Sequence, residues 1–156
     1  MRIRRPSASE LKMLRGIADY QFGYPAGNVL ITDDVLVGVS PATGRIREVY
    51  REGAGLFLVL RAHDYRFSLT IPAARMLLKA FRKPRLRAVI EPSMSPYKSV
   101  PCRAVLELDH RLEPGDEVIV VDSKDSIIGV GRLRLSPREI LEPWCRGEAI
   151  RIRHKV

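Results

Sequence analysis

Near the end of the 156-residue sequence, basic side chains alternate with aliphatic ones in two runs, Arg132-Leu133-Arg134-Leu135 and Ile150-Arg151-Ile152-Arg153-His154-Lys155. Successive side chains of a β-strand face opposite sides. Arg132 and Arg134 would therefore share one face, as would Arg151, Arg153 and Lys155, with the aliphatics turned to a core. If the two strands are neighbours, the five cations form a ribbon able to neutralise several phosphates, with affinity falling steeply as salt rises. The plainer reading is the solvated outer face of an antiparallel sheet. Lys98 and Arg103 are further basic candidates in the same half of the chain, and Arg45 and Arg47 stand beside Gly44 on what reads as a polar-tipped hairpin.

Other reactive-looking residues carry less. Tyr20, Phe22 and Tyr24 are able to stack on unpaired bases, but the helix end near Gly23 needs anchoring, so one or two of these rings are expected in the core. Trp144 is expected to pack beneath the second domain. Ser95-Pro96-Tyr97-Lys98 has the Ser-x-x-Lys spacing of some acyl enzymes without the partner motifs that would position a nucleophile and base. Cys102 and Cys145 lack metal-ligand spacing with each other or with His63, His110 and His154; both read as core or interface residues, with pairing as a disulfide the lesser alternative. The pattern assigns no catalytic residues, no metal and no cofactor.

Overall charge points the same way as the strand pattern. Lys and Arg total 27 against 18 Asp and Glu, for a net charge of +9 and a pI near 10.1, which favours a polyanionic partner. Of the 27 cations, 21 are Arg, whose planar fork of donors suits phosphate oxygens and base stacking; a GC-rich or heat-adapted genome would raise Arg equally well. No apolar run approaches the ~20 residues that span a bilayer, and no apolar segment follows the basic N-terminus, so no membrane association and a cytoplasmic location are expected.

The elements that must position these residues fall into two sets. Ser7-Ala8-Ser9-Glu10 is a capping box opening a helix with Leu11, Leu14, Ile17 and Ala18 at helical spacing. Short β-rich runs follow at Val29–Ile31, Val35–Val37, Leu56–Leu60 and Tyr65–Leu69, separated by turn-like pairs, and Pro72 opens a second helix. Pro84 and its basic flanks mark a boundary, giving domains 1–84 and 85–156. Counted on either side, the first holds 14 basic and 7 acidic residues and the second 13 and 11, so basicity is concentrated in the first. Strands are predicted at Leu86–Glu91, Ala104–Leu108, Val118–Asp122, Ile127–Leu135 and Glu148–Val156, with a short helix capped by Ser136-Pro137-Arg138-Glu139 before the last. The expected fold is α+β: an N-terminal α+β domain followed by a small, partly closed barrel of mostly antiparallel strands.

The run Leu112-Glu113-Pro114-Gly115-Asp116-Glu117-Val118-Ile119-Val120-Val121-Asp122, then Ile128-Gly129-Val130-Gly131-Arg132, Ser136-Pro137-Arg138-Glu139-Ile140, and Arg146-Gly147-Glu148-Ala149-Ile150-Arg151-Ile152-Arg153, strongly resembles a PUA domain, an RNA-binding module built as a pseudo-barrel. Ala18-Asp19-Tyr20-Gln21-Phe22-Gly23, Ser40 with Thr43-Gly44-Arg45-Ile46-Arg47, and Leu60-Arg61-Ala62-His63-Asp64 resemble the domain that precedes PUA in archaeal tRNA-guanine transglycosylases, which install the archaeosine precursor. The resemblance runs from about residue 11 to 156 and implies RNA targeting, most of all of tRNA; the basic residues picked out by strand face and position, Lys98, Arg103, Arg132, Arg134, Arg151, Arg153 and Lys155, are then the expected RNA-binding set. That family's catalytic (β/α)₈ barrel needs ~250 residues, so a non-catalytic accessory role beside a separately encoded catalytic subunit is expected. An rRNA-binding ribosome-biogenesis factor and a stand-alone RNA-modifying enzyme are the alternatives. Similar PUA domains carry a Gly-containing loop before their first helix; here the corresponding Ser95 to Pro101 contains no Gly.

Overall fold

The computed structural model describes residues 1–94 and 98–156. The chain forms two compact units, Met1–Ala80 and Phe81–Val156, divided four residues before Pro84.

The first unit runs β1 (Arg2–Arg4), α1 (Ala8–Phe22), α2 (Ala26–Leu30), β2 (Leu36–Val39), β3 (Ile46–Arg51), β4 (Gly55–Leu60), β5 (Phe67–Leu69) and α3 (Ile71–Ala80). The five strands form one antiparallel sheet in sequence order. Leu14, Ala18 and Phe22 recur on one side of α1 and are buried, as are Val37, Val49, Leu58 and Phe67 of the sheet and Leu77 of α3. The predicted strand Val29–Ile31 is instead the end of α2 and the residue after it. Short apolar runs suit either state, and the tertiary partner decides: the Asp19 carboxylate of α1 accepts the Gly27 N–H at 2.7 Å, tying the first turn of α2 in place. Strand β1 was not expected from the sequence, and β3 only as the far arm of the hairpin at Gly44; Ile46 and Val49 are buried between polar residues at a spacing that does not alternate.

The capping box is present in full, with Ser7 Oγ accepting from Glu10 N–H and the Glu10 carboxylate accepting from Ser7 N–H. Arg4 of β1 adds a fork-on-fork pair to Glu10 at 2.8 and 2.9 Å. The Arg4 guanidinium first, and the Ser7 N–H after it, hold the Glu10 pKa down to about 2. Because the folded pKa lies below the ordinary carboxylate value, the stabilisation is full above pH ~4.5 and is lost as pH falls toward ~2. Acid titration of unfolding should show that loss in the wild type, and Glu10→Gln should flatten it between those limits while lowering stability at neutral pH.

The second unit runs β6 (Arg87–Ile90), a 3₁₀ turn (Pro92–Met94), β7 (Ser99–Pro101), a second 3₁₀ turn (Cys102–Ala104), β8 (Val105–Leu108), β9 (Glu117–Val121), β10 (Ile127–Leu133), α4 (Pro137–Ile140) and β11 (Glu148–Lys155). The sheet order is β7-β11-β10-β9-β6-β8, antiparallel throughout except for the parallel pair β6/β9. Val118, Ile119, Val120 and Val121 are all enclosed, so β9 is buried on both faces and the curled sheet closes around it. Gly131 marks a register shift between β10 and β11: a Cβ there would lie 2.1 Å from the Arg151 carbonyl oxygen, so only glycine admits the close approach. Ser136 caps α4 with a second capping box. The fold is the α+β arrangement expected, with a curled, mostly antiparallel half-barrel as its second part. No helix among the described residues is long and apolar enough to cross a membrane.

Cys102 and Cys145 are buried, as anticipated, and are joined in a disulfide, which had been the lesser expectation. The bond links the turn after β7 to the segment before β11 across a separation of 43 residues, a closeness that the intervening strands create and the spacing could not show.

Candidate nucleic-acid interface

Strands β10 and β11 are neighbours, as the basic ribbon requires. Arg132 faces Arg151 across the pair and Glu117 on its other side, while Arg151 faces Ser99 of β7. Directly opposed residues project to the same face, so one row across four strands reads Glu117, Arg132, Arg151, Ser99. The aliphatic positions behave as expected: Leu133, Ile150 and Ile152 are buried.

The cations are not equivalent. Arg134 and Arg151 keep 59% and 56% of their side-chain surface exposed, and both reach Glu148, at 3.6 and 3.1 Å. Burial works against the charge on Glu148, but hydrogen bonds from Ser99 and Arg151 and the charges of Arg151 and Arg134 outweigh it and hold its pKa below the ordinary range. Glu148 also lines a groove of about 450 Å³ with Ser99, Cys102, Arg103, Cys145 and Arg146. Arg103 sits on the 3₁₀ turn and Arg146 next to the disulfide, both exposed. Arg103 and Arg146 thus line the groove, and Arg134 and Arg151 reach one of its lining residues, Glu148.

The remaining candidates lie elsewhere. The Arg132 Nε donates to the Gly115 carbonyl at 3.3 Å, and Arg132 and Arg134 line a smaller notch with Gly115 and Leu133. The Lys98 side chain is exposed and its carbonyl accepts the Ile152 N–H at 2.8 Å, which fastens it beside β11. Lys155, also exposed, lies four residues beyond Arg151, roughly 13 Å along an extended strand. Arg153 corrects a structural expectation. Strict alternation places it outward with Arg151, yet its guanidinium forks onto Glu117, whose side chain is wholly enclosed, and only 27% of the arginine side chain is exposed. A buried carboxylate needs a counter-charge, and Arg153 supplies it.

Trp144 is also corrected: it is 64% exposed rather than packed beneath the barrel, one residue from the disulfide. Arg146 was not singled out in the sequence, where its only mark is its place between Cys145 and the turn at Gly147; the disulfide brings it to Arg103. Of the ring trio, Phe22 is core and Tyr20 and Tyr24 are exposed. Ser95, Pro96 and Tyr97, the first three residues of the Gly-free loop and of the Ser-x-x-Lys spacing, lie outside the described residues. Among the described residues no group of three or more His, Cys, Asp or Glu is placed to hold a metal ion.

Fold and sequence define the same class. Residues 12–84 match the patch-forming domain C2 of tRNA-guanine transglycosylase, and residues 88–156 match the PUA domain. The chain carries a C2-type domain followed by a PUA domain, and over nearly its whole length it is similar to the C2–PUA region of the archaeal tRNA-guanine(15) transglycosylases. It is 33% identical to the enzyme of Methanobrevibacter smithii over 153 residues, 96% of this chain and 23% of that one. With the Thermococcus kodakarensis enzyme it shares 31% over 159 residues, 99% of this chain and 27% of that one. The chain thus spans about a quarter of the length of these curated relatives. A hypothetical protein from Pyrococcus horikoshii has the same fold over 99% of this chain and 94% of its own, with a TM-score of 0.71 at 18% identity. A conserved PUA domain protein from Thermoplasma acidophilum superposes over 99% of this chain and 93% of its own, with a TM-score of 0.64 at 19% identity.

Proposed function

We propose that the chain binds tRNA and serves tRNA modification as a non-catalytic targeting module, working in the cytoplasm with a catalytic chain that carries out base exchange. The observation that carries this reading is the groove lined by Arg103 and Arg146, whose Glu148 is paired to Arg134 and Arg151, on a PUA domain of a transglycosylase-like chain. Planar guanidiniums at a shared groove suit phosphate oxygens, which fix the position of an RNA without reading its bases. Glu148 occupies two of these arginines in the free protein; phosphates arriving at the groove compete with it for the same donors.

The test is a titration of the full chain with tRNA at two salt concentrations. Neutralising on the order of three phosphates should weaken binding roughly 20- to 40-fold between about 50 and 200 mM salt. Tight binding with no salt dependence would rule out the electrostatic mechanism. A parallel incubation with tRNA and labelled guanine should give no incorporation by this chain alone, and incorporation would show it to be an enzyme in its own right.

A further inference from the structure

We infer that the first unit carries an RNA contact of its own, a stacking groove for an unpaired nucleobase between the outer face of α1 and the turn from β4 to β5; this rests on the RNA-binding reading above. Met13, Gly16, Ile17 and Tyr20 stand at positions i, i+3, i+4 and i+7 of α1, on the face turned away from the buried Leu14, Ala18 and Phe22. Opposite them, Asp64, Tyr65 and Arg66 complete a groove of about 530 Å³. Tyr20 is 82% exposed, so its ring offers a free face, and Tyr65 is 38% exposed.

Bonds from residues outside the lining shape the groove. The Gln21 side chain donates to the Phe67 carbonyl at 2.8 Å and accepts the Phe67 N–H at 2.7 Å, which clamps α1 to β5 and sets the width. Arg45 lies over the Tyr65 ring at 5.7 Å and donates to its hydroxyl at 2.6 Å, fixing the second ring. Gly16 is costly inside a helix relative to alanine, yet a Cβ there would meet nothing within 4 Å. Packing therefore does not require the glycine, and its absent side chain leaves the groove floor clear.

Charge selects the occupant. Asp64, the acid of the groove, is forked by Arg61 through Nε and Nη2, each at 3.1 Å, and accepts the Arg66 N–H at 3.1 Å, so its charge is compensated. With Asp64 compensated, Arg45 and Arg66 leave the rim positive, on a unit whose residues 1–80 hold 12 basic and 7 acidic side chains. Aromatic faces beside arginines match a single-stranded RNA segment, whose bases stack while its phosphates meet the rim.

The probe is a fluorescein-labelled single-stranded oligoadenylate, with a fully paired RNA stem as comparison, titrated against the full chain. Stacking is worth enough per base that Tyr20→Ala should weaken the single strand at least about fivefold, leave the stem unchanged, and be rescued by Tyr20→Phe. Gly16→Leu, which fills the floor, should act like Tyr20→Ala. Oligoadenylate binding equal to wild type in both variants overturns the inference, and the tRNA reading then stands or falls separately on the Arg134 and Arg151 variants. Self-association of the wild type that Tyr20→Ala abolishes, with oligoadenylate binding unmoved, would make the face a contact between copies and overturn it as well.

Discussion

Replacing Arg134 and Arg151 together by Glu is expected to weaken tRNA binding about 100-fold at fixed salt, because two charge-assisted contacts worth roughly 1.5 kcal/mol each are lost. The loss should be similar for unrelated tRNA sequences, since phosphate contacts position without reading bases, and the slope of affinity against salt should flatten. Both side chains are more than half exposed, so the melt should move little. The converse change sharpens the test. Glu148→Gln removes the carboxylate that occupies both arginines and should tighten binding several-fold, a change of sign that a purely structural role for Glu148 would not produce. Native melts with unchanged affinity in both variants would remove this groove from the RNA surface.

Arg153 is expected to behave oppositely to its neighbour two residues away. Its side chain closes over Glu117, which has no exposed side-chain surface, so Arg153→Ala removes the guanidinium forked onto a buried carboxylate. Losing one partner of a buried pair costs ~3–5 kcal/mol, and for a unit of this size each kcal/mol lowers the melting temperature by about 4–8 °C. A fall of more than about 10 °C in the second unit is therefore expected, against little change for Arg151→Ala. Adding Glu117→Gln to Arg153→Ala should recover part of the loss by removing the buried charge. If Arg153→Ala melts with the wild type, the pair is solvated and Arg153 returns to the set of surface cations available to RNA.

The sequence by itself determined the α+β class, the capping boxes at Ser7 and Ser136, the helices beginning near Ala8 and Pro72, and five strands of the second unit, because those signals are local: a cap, a periodicity, a turn. It also carried the resemblance to a transglycosylase C2–PUA region, since ordered glycines and strand patterns survive as text. Alternation placed Ile150 and Ile152 inside and Arg151 outside. Alternation cannot say what stands opposite, and so it could not separate Arg153 from Arg151; that difference comes from Glu117, 36 residues away, enclosed on the neighbouring side of β10. The same holds for Cys102 and Cys145, for Arg146 beside Arg103, and for Trp144 left outside rather than beneath the barrel. Which cations are already satisfied and which converge on a groove is a matter of contacts between residues distant in sequence, and only the tertiary structure decides it.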